Sequence, residues 1–302
     1  MLFDSLGDYV FLDGAMGTML QSLLKGSLKP GSNPAVLSVA EPSAVESIHR
    51  MYAEAGSGIL CANTFGANAD MLRGTGYSPK DIITAAVSAA RRGAESAICA
   101  DGGAAKVALD IGPTGRLLAP LGDLGPEAAY GLFKEMAEAG EEAGADLALI
   151  ETMGDLAEAE AALRAVNENT SLPAFVCMTF EKNGFTYMGC PAERFAESMR
   201  RLGAAAAGLN CSREPADMLA VAERIAKSSG LPLIVKLNAG LPDPETGLYG
   251  VGPAEFSRQM LPYKKIGAKI VGGCCGTTPE HIRELRKAFS NNRKIPGEVR
   301  RR

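Results

Sequence analysis

Eight short apolar runs recur along the chain, each separated from the next by a stretch long enough for a helix. This alternation limits the fold more than any other feature. The runs are Tyr9–Leu12, Gly58–Ala62, Lys106–Ile111, Asp146–Ile150, Ala174–Thr179, Ala205–Leu209, Leu233–Leu237 and Lys269–Gly272. They are almost continuously apolar, the pattern of parallel strands covered on both faces. Segments between them, such as DIITAAVSAARRGAESAI and PEAAYGLFKEMAEAGEEAGA, carry helical material. Ala143–Gly144–Ala145, Gly203–Ala204 and Gly267–Ala268 suit helix exits, where glycine tolerates the left-handed turn back towards a strand. Eight strand–helix units without a break in composition predict one (β/α)8 TIM barrel, an α/β fold, over residues 1–290. A doubly wound sheet is the competing arrangement, but no G-x-G-x-x-G follows the first run. Residues 291–302, polar and basic, read as a tail or linker. Long inserts after the first run (17–42) and the seventh (240–252) belong, in a barrel, to the face where active sites are built.

The formal net charge of −4 is too small and too mixed to mark a nucleic-acid or membrane partner. Tryptophan is absent and aromatics are 6%, which argues against stacking platforms for bases. No apolar run has the length of a membrane span, and MLFDSLGDYV lacks a basic n-region leading into an apolar stretch. The expected location is cytoplasmic. Seven cysteines in such a chain are expected to be reduced, as core residues or as thiolates, rather than joined in a disulfide framework.

The strand ends carry the chemistry. Cys211 follows the sixth run and Cys274 and Cys275 follow the eighth, with glycines on both sides of the vicinal pair. Three thiolates on one rim can hold a zinc ion and leave its fourth position open, the form of a catalytic site. The bland reading is two adjacent buried cysteines without function. Such a centre activates a thiol better than it activates water or a carbonyl, so the chemistry it fits is alkyl transfer to sulfur. Cys61, Cys99, Cys177 and Cys190 read as filler. Asp13 and Glu151 each end an apolar run with no cation beside them in sequence, so a ligand ammonium is an attractive partner. A rim network reaching Lys236, a distant arginine or backbone amides is the alternative. The glycine-rich turn after Asp13 offers backbone N–H groups to a carboxylate. A thiol-bearing amino acid would use all three elements.

The segments FLDGAMGTML, CANTFGAN, DIGPTG, IETMGDLAEAEAALRAV, GLNCS, NAGLP and GGCCGTTPEHI resemble the homocysteine S-methyltransferase family. Within it, the likeness is greatest to the N-terminal homocysteine-binding domain of cobalamin-dependent methionine synthase, and it runs from about Tyr9 to Ala288. The resemblance implies zinc on Cys211, Cys274 and Cys275, with homocysteine sulfur as the fourth ligand. It implies Asp13 and Glu151 around the amino-acid portion, with amides near Gly14 and Ala15 receiving its carboxylate. Asn238 matches a position near the zinc, where it would fill the open site before substrate arrives. Lys236 departs from the family, in which a neutral residue is common; pointing inward, it would pair with Glu151. No D-x-H-x-x-G segment for holding a corrinoid is present. The methyl donor is then a methylcobalamin carried by a partner protein or module, or a small onium compound such as S-methylmethionine or betaine. A non-catalytic zinc- or thiol-binding barrel, and an aldolase using Lys236 as a Schiff-base amine, are readings from other classes.

Overall fold

A computed structural model describes residues 8–24, 31–97 and 104–290. The 291–302 tail, Cys99 and part of the insert after the first strand lie outside them. Eight strands form one parallel sheet: β1 (Val10–Phe11), β2 (Ile59–Cys61), β3 (Lys106–Ile111), β4 (Leu147–Met153), β5 (Ala174–Met178), β6 (Ala206–Asn210), β7 (Leu233–Leu237) and β8 (Ala268–Gly273). The order is β1-β8-β7-β6-β5-β4-β3-β2, and a parallel bridge from Leu12 to Ile59 brings the two ends together. All eight expected runs are strands of a TIM barrel.

Among the described residues, ten α-helices surround it: α1 (Gly17–Leu23), α2 (Leu37–Ala40), α3 (Pro42–Ala55), α4 (Pro79–Ser96), α5 (Pro126–Glu142), α6 (Leu156–Asn169), α7 (Ala192–Arg201), α8 (Pro215–Ser229), α9 (Pro253–Lys265) and α10 (Pro279–Ser290). Six of them begin on proline, whose missing N–H costs nothing in the first turn. Ser78 and Asp81 close a reciprocal cap on α4. Gly144, Gly203 and Gly267 take φ of 81–88° at helix exits, as their sequence context predicts.

Two apolar layers follow. The larger lies between strands and helices and draws on both, as with Phe133, Val176, Phe195 and Val235. The smaller fills the barrel and takes alternate residues, among them Leu12, Cys61, Ala108, Leu149, Cys177 and Ile234. Two residues further along three of these strands, on the same inner face, the side chains are Asp110, Glu151 and Lys236. The barrel interior therefore changes from hydrocarbon to charge at its C-terminal end.

Candidate active site

The three strand-end cysteines meet. Cys211 leaves β6 with a left-handed φ of 49°, and its N–H donates to the Lys236 carbonyl at 3.1 Å. The Cys274 N–H donates to the Leu237 carbonyl at 2.7 Å, and the Cys275 carbonyl accepts from Ala239 at 3.0 Å. The Sγ atoms all lie within 4.8 Å of one another, with Cys211 and Cys275 at 3.5 Å. Zinc–sulfur bonds of about 2.3 Å set tetrahedral sulfur–sulfur edges of roughly 3.8 Å, so the trio fits such an ion with little movement. Hydrogen bonds from Cys211 and Cys274 hold the Cys275 thiol down at about 3, while the same kind of contact pushes Cys211 far above the usual thiol range. One negative charge is thus easily held among the three sulfurs, and a cation is needed to hold the others.

Neighbouring groups fix this cluster. Thr152, also left-handed at φ 62°, exchanges hydrogen bonds with the Asn210 side chain at 2.7 and 2.8 Å. Asn238 donates to the Cys211 carbonyl at 3.2 Å, and its Oδ1 is buried without a hydrogen-bond partner. Tyr249, from the loop after β7, lies over Gly276, which has φ of 79°; a Cβ there would sit 2.1 Å from the tyrosine ring. Only glycine permits both that turn and that contact.

The carboxylates stand nearby in the barrel. Asp13 is 2% exposed; its Oδ2 accepts the Cys61 N–H at 2.8 Å, and its Oδ1 has no hydrogen-bond partner. Burial raises its carboxyl to about 6, against the lowering effects of Lys236 and the Cys61 N–H. Glu151 has a cation from within the chain: of the two expected partners, a ligand ammonium and Lys236, the lysine points inward and pairs with it. The Lys236 Nζ donates to Oε1 at 3.1 Å and lies 2.9 Å from Oε2, in charge contact but too poorly aligned for a second hydrogen bond. Lys236 and Glu151 are 3% and 4% exposed. Burial alone would lower the lysine, but Glu151 and the surrounding thiols and carboxylates outweigh it and hold it well above its ordinary range.

Of the amides after Asp13, that of Ala15 has a partner within the chain. The Ala15 N–H already donates to Thr277 Oγ1 at 3.2 Å, while the Tyr52 hydroxyl donates to the Ala15 carbonyl at 2.9 Å. Gly14 lies against both: a Cβ there would be 2.5 Å from Thr277 Oγ1 and 2.8 Å from the Tyr52 oxygen. Asp110, a strand-end residue of the same rim, has no role assigned to it by the sequence. It is 8% exposed with Oδ1 unpartnered, and burial followed by repulsion from Glu151 lifts it well above the carboxylate range. A charged residue next to last in the apolar run KVALDI, two positions from inward-facing Ala108, was the available signal. Of the other cysteines, Cys61 and Cys177 fill the barrel and Cys190 is buried beside α7.

Soft sulfur donors on one side and surplus oxygen acceptors on the other suit a metal ion and an ammonium respectively. The family model described as homocysteine S-methyltransferase matches residues 10–289. The methionine synthase of Mycobacterium leprae is 33% identical over 312 residues, 98% of this chain and 26% of the relative. That of Mycobacterium tuberculosis is 32% identical, covering 99% of this chain and 26% of the relative. The chain thus spans about a quarter of the length of the curated relatives it matches. Among solved structures, the metallated homocysteine methyltransferase MmuM of Escherichia coli superposes with a TM-score of 0.80 at 24% identity, covering 95% of this chain and 98% of that one. Among the described residues, no helix is long and apolar enough to cross a membrane.

Proposed function

The chain belongs to the homocysteine S-methyltransferase family, and on that premise we propose that it methylates the sulfur of homocysteine to give methionine, with zinc on Cys211, Cys274 and Cys275. The convergence of three Sγ atoms from two strand ends carries this reading. A zinc ion held by these three sulfurs would supply Lewis acidity that favours the thiolate form of an incoming thiol, its proton passing to solvent, while leaving the sulfur nucleophilic. The homocysteine sulfur forms the new bond to the methyl carbon as the bond from that carbon to the donor breaks.

The chain's own residues orient the substrate. Asp13 and Glu151 line the ammonium side, Glu151 through its pair with Lys236, and the turn at Gly14 and Ala15 faces the carboxylate, with the Ala15 amide exchanging Thr277 for substrate. The buried, unpartnered Oδ1 of Asn238 beside Cys211 is a neutral oxygen suited to the fourth position in the resting state. For the donor we propose a methyl-corrinoid on another module or protein, in keeping with relatives about four times as long. A small onium donor, S-methylmethionine or betaine, is the alternative. Lys236 does not suit Schiff-base chemistry, because its carboxylate surroundings hold it protonated.

Zinc content together with X-ray absorption tests the site. The expected result is one zinc per chain with three sulfur neighbours, rising to four when L-homocysteine is added, and no stoichiometric zinc in Cys274→Ala although its barrel stays folded. A sulfur count indifferent to homocysteine, or a variant that keeps its zinc, would overturn the assignment. Turnover with methylcobalamin against S-methylmethionine or betaine then separates the donors.

A further inference from the structure

We infer that Asp110 is a further recognition residue: with Glu151 tied to Lys236, the ammonium of the amino-acid substrate is held between Asp110 and Asp13. This rests on the proposed function and names a residue which that reading does not use.

Position comes first. Asp110 follows inward-facing Ala108 by two residues, so its side chain projects into the barrel at the level where charge replaces hydrocarbon. Thr64 clamps its backbone on both sides: Oγ1 donates to the Asp110 carbonyl at 2.7 Å and accepts its N–H at 2.9 Å. The carboxyl group is therefore held in place by its backbone, yet its Oδ1 is buried with no hydrogen-bond partner. Asp13 Oδ1 is in the same condition. A buried carboxylate oxygen left unpaired is costly, and a native interior rarely keeps two of them without use.

Charge comes second. Among the described residues, Asp13, Asp110 and Glu151 face a single cation, Lys236, and that cation lies on Glu151. The remaining groups turned towards this region, namely Cys61, Cys177, Cys274 and the Tyr52 hydroxyl, add no positive charge. One further cation bearing several N–H donors is what the site lacks, and a primary ammonium has that form. Burial lifts the Asp110 carboxyl well above its ordinary range, and an ammonium beside it favours the ionised form, so binding should be accompanied by release of a proton to solvent.

Calorimetry on the zinc-loaded protein tests this, with homocysteine and its des-amino analogue 4-mercaptobutanoate as ligands. Asp110→Asn should bind homocysteine about 30-fold more weakly, the loss of one charge-assisted hydrogen bond, and bind the analogue almost as well as before. In buffers of different ionisation enthalpy, the unaltered protein should release more protons with homocysteine than with the analogue. Equal affinities for homocysteine in the two proteins, or equal losses for both ligands, overturn the inference. Should the variant fail to fold, equal proton release for the two ligands in the unaltered protein overturns it alone. If the unaltered protein binds the analogue but not homocysteine, or binds neither, the functional reading itself fails.

Discussion

Replacing Glu151 by Gln would strand the Lys236 ammonium in the barrel interior. Both side chains are buried to within a few per cent, and Nζ lies 2.9–3.1 Å from the two carboxylate oxygens. Removing one partner of such a pair costs on the order of 3–5 kcal/mol, because the remaining charge is left uncompensated. Here Asp13 attracts the same lysine and is ionised above about pH 6, so the expected loss lies near the lower bound. We therefore expect Glu151→Gln to lower the unfolding free energy by about 3 kcal/mol, read by urea denaturation at pH 7 with the slope unchanged. The companion Glu151→Gln/Lys236→Met removes the stranded charge too, and should recover most of that loss, since apolar replacements of buried pairs are often neutral or stabilising. A loss under about 1 kcal/mol in the single variant, or a double variant no more stable than the single, would refute the ion pair as the organising contact.

Asp13, at about 6 in the folded chain against 3.8, binds its proton more tightly when folded. Its contribution to stability is therefore greatest below pH 4 and falls by about 3 kcal/mol as pH rises through 6; Asp13→Asn should flatten that slope in urea titrations. Homocysteine affinity should run the other way, weakening as pH falls below about 6, and a thiol without the amino group should not share this extra dependence. Gly14→Ala forces a methyl group against Thr277 and Tyr52. It should cost about 1–3 kcal/mol in denaturation and weaken homocysteine binding; a variant of unchanged stability would contradict the packing around the turn.

Much of this architecture is legible in the residues. Near-continuous apolar runs reveal strands buried on both faces, and residues just past them fall on one rim, which is why Cys211, Cys274 and Cys275 could be grouped from positions 63 residues apart and more. The missing parts needed register. Lys236 and Asp110 are charged residues inside or at the end of apolar runs, and whether each faces the helices or the barrel depends on which neighbours share its face. Counting in twos from Ile234 and Ala108 settles the direction only once those residues are known to point inward. The Ala15–Thr277 contact joins residues 262 apart and has no local signature. His49, buried in α3 without a hydrogen-bond partner for either nitrogen and held down to about 3 by burial, was not a candidate on sequence, and the structure gives it no polar role.

The order of the site along the chain has a consequence for its biosynthesis. The three carboxylates stand at positions 13, 110 and 151, and all are made before the first thiol of the trio at 211; the other two follow at 274 and 275. Val10 and Phe11 cannot find their partners Ile270 and Val271 until the last strand has been synthesised. A growing polypeptide thus exposes at most one of the three sulfurs to passing thiophilic ions until its barrel is ready to close. On the proposed zinc reading, metal capture would thereby wait until the eighth strand has been made, and a chain that had acquired its ion would also have completed its ring.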